Sequence, residues 1–173
     1  ITPAHDPNDF EVGLQIIEAG ERIRAGMPAA EIAQAMKEII PHCHASFILD
    51  TLEFMRAGGR CSTIVAVGAN LLALKPCIEV DNSDGSMHVG KKYRGNLKKV
   101  LPQYVRDKLT QYDRIKRDHL FITYSSIDPS YVELVRQAVL DVMDFKEIHV
   151  TTASCTIASH CGPNTLGILF ETE

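Results

Sequence analysis

The run His119-Leu120-Phe121-Ile122-Thr123-Tyr124, followed by Ser125-Ser126-Ile127-Asp128-Pro129, constrains the fold more than any other stretch. An apolar segment this rich in aromatic and β-branched residues is a strand. Asp-Pro after a short polar loop opens a helix, with the carboxylate as cap and proline at the first helical position. Val132, Val135 and Val139 then share one helical face. A strand feeding directly into an amphipathic helix must bury both against a sheet, so the chain is layered from α and β elements.

The remaining segments fit that frame. Asp6-Pro7-Asn8-Asp9 reads as a helix opening, and Phe10, Gly13, Leu14 and Ile17 give a half-buried stripe up to about Ala25, where Gly26 stops it. Pro28 opens a second helix carrying Ile32, Ala35, Met36 and Ile39, and Pro41 ends it. Ala45 to Leu49 reads as a buried strand. Asp50-Thr51 caps a brief helix with Leu52, Phe54 and Met55 that ends at Gly58. Ser62 starts a helix apolar on nearly every side, through Ile64, Val65, Val67, Leu71 and Leu72, as befits a buried helix or one lining an apolar cavity. Pro76 to Asp81 and Ser86 to Tyr93 form a hairpin around Asp84-Gly85. A long helix is predicted over 96–116 with Leu97, Leu101, Tyr104, Leu109, Tyr112 and Ile115 apolar, kinking or restarting at Pro102. Phe145 to Thr151 and Thr165 to Phe170 are the last strands, separated by a loop or short helix from Ser154. The expected architecture is a single α/β domain over residues 1–173, with a mixed β-sheet flanked by helices and one β-hairpin.

Composition narrows the function. A net charge of −4 with no long Lys/Arg run argues against a nucleic-acid partner, because phosphate backbones are held by clustered positive charge. The longest apolar stretch, Ile64 to Leu74, is too short to span a bilayer and contains Gly68 and Asn70, so no transmembrane segment is predicted. Cys43, Cys61, Cys77, Cys155 and Cys161 are odd in number and form no C-x-x-C pair. That pattern indicates neither a disulfide framework nor a zinc site, and it suits inert thiols in a reducing, cytoplasmic setting. No metal and no cofactor are expected.

The chemistry concentrates in Arg56-Ala57-Gly58-Gly59-Arg60 and Ser159-His160-Cys161-Gly162-Pro163. Glycines before a helix start leave backbone N–H groups open to an anion, and guanidinium adds a fixed charge suited to carboxylate or phosphate. Each feature also has a plainer reading. Gly58 can be a helix end, Arg56 and Arg60 solvated side chains, His160 a structural histidine, Gly162-Pro163 a turn, and Lys91, Lys92 and Arg94 an exposed strand end. A hydrolase using Cys155, Ser159, His160 and Cys161 of the 154–161 region is one rival, although it lacks a nucleophile elbow and a nearby orienting carboxylate. A phosphometabolite-binding module is another, lacking the Walker lysine spacing and the G-x-G-x-x-G pattern.

Four blocks carry a resemblance: Leu49-Asp50-Thr51-Leu52-Glu53-Phe54; Arg56-Ala57-Gly58-Gly59-Arg60; Leu74-Lys75-Pro76 entering the hairpin; and His160-Cys161-Gly162-Pro163 before the last strand. In order and spacing they resemble the DegV family, and the likeness covers nearly the whole chain but only the C-terminal part of a two-domain DegV protein. The chain begins Ile1-Thr2-Pro3, and a preceding N-terminal lipid-binding domain is expected as a partner. The resemblance implies a carrier without catalytic residues of its own. It would hold a long-chain fatty acid and present the carboxylate to a separate ATP-dependent fatty acid kinase subunit, whose acyl-phosphate product feeds phospholipid synthesis. By position, Arg60 and His160, with Gly58 and Gly59, would face the carboxylate or its phosphate. Arg94 and, more weakly, Arg56 would face the kinase, while Ile64, Val65, Val67, Leu71 and Leu72 would line the tail pocket. The family's serine and threonine carboxylate ligands fall in the other domain. The chain departs from the family pattern with Cys161 where a hydroxyl residue is common and Asn164 where glycine is common.

Magnitudes divide the labour. A tail of about fourteen methylenes at about 0.8 kcal/mol each outweighs a charge-assisted hydrogen bond of roughly 1.5–3 kcal/mol. The tail would therefore supply affinity, and Arg60 and His160 orientation.

Overall fold

The computed structural model describes residues 12–57, 74–81 and 86–173. The expected helix opening at Asp6-Pro7, the Gly58-Gly59-Arg60 motif, the apolar helix from Ser62 and the Asp84-Gly85 turn lie outside the described residues.

Helix α1 (Val12–Arg24) stops at Gly26, whose φ of +79° suits a residue without a side chain. Helix α2 (Ala29–Ile39) follows Pro28 and gives way to a single 3-10 turn (Ile40–His42) containing Pro41. Strand β1 (Cys43–Ile48), the short α3 (Glu53–Ala57) and the antiparallel hairpin β2 (Leu74–Val80) and β3 (Met87–Arg94) come next. Helix α4 (Leu97–Thr110) begins at Asn96, whose side chain accepts a hydrogen bond from the Lys99 amide at 3.1 Å. Strand β4 (Ile115–Ser125) leads to α5 (Pro129–Leu140), where Asp128 accepts from the Ser130 amide at 2.8 Å. Strand β5 (Glu147–Thr152), α6 (Cys155–Cys161) and β6 (Thr165–Thr172) complete the described chain.

Two boundaries differ from the sequence reading. Helix α4 ends at Thr110, and Ile115 and Lys116 belong to β4, so the 96–116 helix is too long by its last segment. Leu109, Tyr112 and Ile115 mimic helical spacing, but Ile115 pairs with Thr172 and the ladder shifts register before Leu120. Nor does α4 restart at Pro102, which lies inside one continuous helix.

The strands form one six-stranded sheet in the order β3-β2-β1-β6-β4-β5, antiparallel throughout except for the parallel β4–β5 pair joined through α5. Because strand side chains alternate between faces, each strand supplies two cores. Ile48, Leu120, Ile122, Leu166, Ile168 and Phe170 pack against α4 and α5 in the main core. Tyr104 of α4 is fully buried there, and its hydroxyl donates to the Ser46 carbonyl at 2.6 Å and accepts from the Ile168 amide at 3.1 Å. The opposite face carries two separate clusters. Leu14 and Ile39 of α1 and α2 cover Cys43, Ala45, Val80 and Leu169, whereas Leu52, Met55 and Cys161 of the α3–α6 end cover Phe47, Leu49 and Ile78. Between those clusters the described residues leave a gap over the sheet.

Candidate functional site

That gap is a cleft of about 190 Å³. Its floor is built by the same-face residues of the three central strands: Ala45 and Phe47 of β1, Gly167 and Leu169 of β6, and Thr123 and Ser125 of β4. Ile157 and Cys161 of α6 form one wall, together with Ser154 and the end of β5. Gly167 is required by packing, since a Cβ there would lie 2.5 Å from the Ser46 carbonyl oxygen and 2.8 Å from Phe47 Cβ. Among the described residues, the lining holds no charged side chain. Its hydroxyls are partly engaged with neighbouring side chains and with the backbone: Thr123 Oγ1 lies 2.9 Å from Thr151 Oγ1, and Thr165 donates to the Cys161 carbonyl at 3.1 Å. A described lining of apolar side chains and scattered hydroxyls suits an acyl chain better than a phosphate or nucleotide. Its volume is below the several hundred cubic ångströms typical of a complete small-molecule pocket.

Next to the cleft, three of the four motif blocks converge. Asp50 is held from two directions: Lys75 Nζ donates to its carbonyl oxygen at 3.1 Å and pairs with its carboxylate, and Asn164 Nδ2 donates to Oδ2 at 3.1 Å. The Leu49 amide donates to the Pro76 carbonyl at 3.1 Å, tying the first block to the third. Phe54 lies against Gly162, where a Cβ would come within 2.3 Å of the ring. Asn164 departs from glycine without loss of the turn. Its φ is +58°, a region asparagine tolerates better than most residues, and its side chain forms the link to Asp50.

The assigned residues fall as follows. His160 sits half-buried in the last turn of α6, the helix against which α3 packs. Arg56 in the last turn of α3 and Arg94 at the end of β3 are exposed. Gly58, Gly59 and Arg60, and the tail-pocket assignments Ile64, Val65, Val67, Leu71 and Leu72, lie outside the described residues. The sequence reading passed over the cleft floor.

The hydrolase arrangement gains nothing from this geometry. Burial pushes the Cys161 thiol up to about 11, leaving it protonated and a weak nucleophile at neutral pH. The Ser159 hydroxyl donates to the Thr156 carbonyl at 2.8 Å within its own helix, and neighbours along a helix point about 100° apart. The described cysteines Cys43, Cys77, Cys155 and Cys161 are free thiols, only Cys155 being exposed. Among the described residues, no helix is long and apolar enough to cross a membrane.

Fold and cleft together define an α/β domain with a mostly apolar cleft beside a tightly tied motif junction. The chain belongs to the DegV family: the family model described as "Uncharacterised protein, DegV family" matches residues 8–173. A DegV domain-containing protein of Deinococcus radiodurans is 28% identical over 162 residues, covering 92% of this chain and 56% of that protein. The structure described as fatty acid binding of a DegV family protein from Thermus thermophilus superposes with a TM-score of 0.82 at 27% identity, covering 94% of this chain and 57% of that one. The Streptococcus pneumoniae fatty acid kinase B3 protein loaded with linoleic acid shares the fold, with a TM-score of 0.80 at 16% identity over 94% of this chain and 56% of that one. The chain thus spans about half the length of the relatives it matches.

Proposed function

We propose that this chain forms one side of a fatty-acid carrier, holding the acyl tail over the β1–β6–β4 floor and presenting the carboxylate to a separate ATP-dependent kinase. The observation that carries the reading is the cleft, uncharged among the described residues, beside the junction of Asp50, Lys75 and Asn164. The N-terminal domain that the family resemblance implies would close the cleft and supply hydroxyl ligands for the carboxylate. Arg60 and His160, with Gly58 and Gly59, are assigned to the head group or its phosphate, Arg94 and Arg56 to the kinase-facing surface, and the 64–72 segment to the tail. Affinity then comes from methylene burial and orientation from the cations.

Mass spectrometry of an organic extract of the purified full-length protein tests this. A long-chain fatty acid should appear in near-equal amount, and a protein purified without delipidation that carries none would refute the reading. His160→Ala and Arg60→Ala should retain the lipid but lower acyl-phosphate formation when the kinase subunit and ATP are added. Unchanged turnover in both variants would remove these residues from the head-group role.

A further inference from the structure

Two rungs along β4 and β5 from the Thr123–Thr151 pair, three metal-ligating side chains converge. The parallel register sets His119 opposite Glu147 and Phe121 opposite His149, on the sheet face that α1 crosses. His119 Nδ1 lies 3.1 Å from His149 Nε2, and Glu147 Oε2 lies 3.9 Å and 3.5 Å from those same two atoms. The point equidistant from the three atoms is roughly 2.05 Å from each, the ordinary length of a zinc–imidazole or zinc–carboxylate bond.

The surroundings fit the same purpose. Glu21 of α1 places Oε1 3.3 Å from His119 Nε2, the other ring nitrogen. A carboxylate there accepts a hydrogen bond from Nε2–H, which fixes the tautomer and leaves the Nδ1 lone pair directed at the triangle, the usual support of a metal-bound histidine. The His149 ring is stacked on Phe121 with centroids 4.6 Å apart, which fixes its plane. His119 is 11% exposed and Glu147 63%, so the donors run from a half-buried imidazole to a solvent-facing carboxylate, and an ion can enter from the open side. Two imidazoles and one carboxylate favour zinc-like transition ions over calcium or magnesium, which prefer all-oxygen shells.

We propose that His119, His149 and Glu147 bind one divalent transition-metal ion, with Glu21 as a positioning residue for His119 and one coordination place left to water or an incoming ligand. Bound there, the ion ties the β4–β5 edge to α1 through Glu21.

The test is a cobalt(II) titration of the chelator-treated full-length protein, followed by d–d absorption, with zinc(II) as competitor. One equivalent should bind saturably and be displaced by zinc. His119→Gln, His149→Gln and Glu147→Gln should each weaken binding at least tenfold, and Glu21→Gln by about 10–100-fold. Cys155→Ser should leave binding unchanged, separating the site from the exposed thiol. Absence of saturable binding, or affinity in the His119→Gln/His149→Gln double variant equal to wild type, overturns the proposal. Should the variants unfold by circular dichroism, imidazole NMR of the wild type decides. Zinc-induced shifts confined to His119 and His149 support the site, and shifts elsewhere refute it.

Discussion

Gly162 links two independent costs that can be measured apart. Its φ of +77° and ψ of −177° fall in a region essentially reserved for glycine, and any other residue there is strained by about 1–3 kcal/mol. A Cβ would also sit 2.3–2.8 Å from three atoms of the Phe54 ring, which must move away from α6. Phe54 is 37% exposed, so the ring can swing outward, and lost packing adds about 1 kcal/mol rather than a full core penalty. Gly162→Ala should therefore lose about 2–4 kcal/mol. With a urea m-value of about 2 kcal/mol/M, the unfolding midpoint falls by about 1–2 M in far-UV circular dichroism. Because the ring has already been displaced, Phe54→Ala should cost less in the Gly162→Ala background than in wild type, and the backbone strain should remain. A Gly162→Ala midpoint within experimental error of wild type would refute the account, as would full recovery in the double variant.

Tyr104→Phe removes the hydroxyl shared by Ser46 and Ile168 and strands the Ile168 amide in the core, so it should cost about 1–3 kcal/mol in the same denaturation assay. His44 gives a pH signature. Burial, with the nearby charges of His42 and Lys108, lowers its pKa from 6.5 to about 4. The unfolded chain thus takes up a proton near pH 6.5 that the folded chain refuses until about pH 4, and stability falls as pH drops through that window. His44→Gln should flatten that part of the stability–pH curve, and an unaltered slope would remove His44 from it.

Much of the fold was legible because its signals are local. Asp128-Pro129, Asn96 and Gly26 punctuate the chain where the caps and turns lie, and the hairpin strands pair as their spacing predicts. The end of α4 was not, because Ile115 satisfies a helical period by coincidence and its strand pairing is set by Thr172, far along the chain. The cleft is harder still. Ala45, Thr123 and Gly167 become one floor only through the register of three strands, and a run such as 165–170, buried on both faces, does not reveal which side is open. The motif blocks could be recognised individually, whereas the role of Asn164 in holding Asp50 required the turn geometry. Likewise, a search for metal ligands among cysteines passes over His119 and His149, 30 positions apart on neighbouring strands.

The place of β6 governs how the molecule can be made. It lies between β1 and β4, so the β3-β2-β1 half and the β4-β5 half have no ladder in common until it inserts. Its partners in β1 lie more than a hundred positions earlier in the chain, and closing so long a loop costs entropy before any contact returns it. Folding should therefore be slow for a chain of this size, with a rate-limiting step in which the last strand docks between two preformed halves. Substitutions within β6 should slow refolding, whereas changes in the hairpin should chiefly speed unfolding.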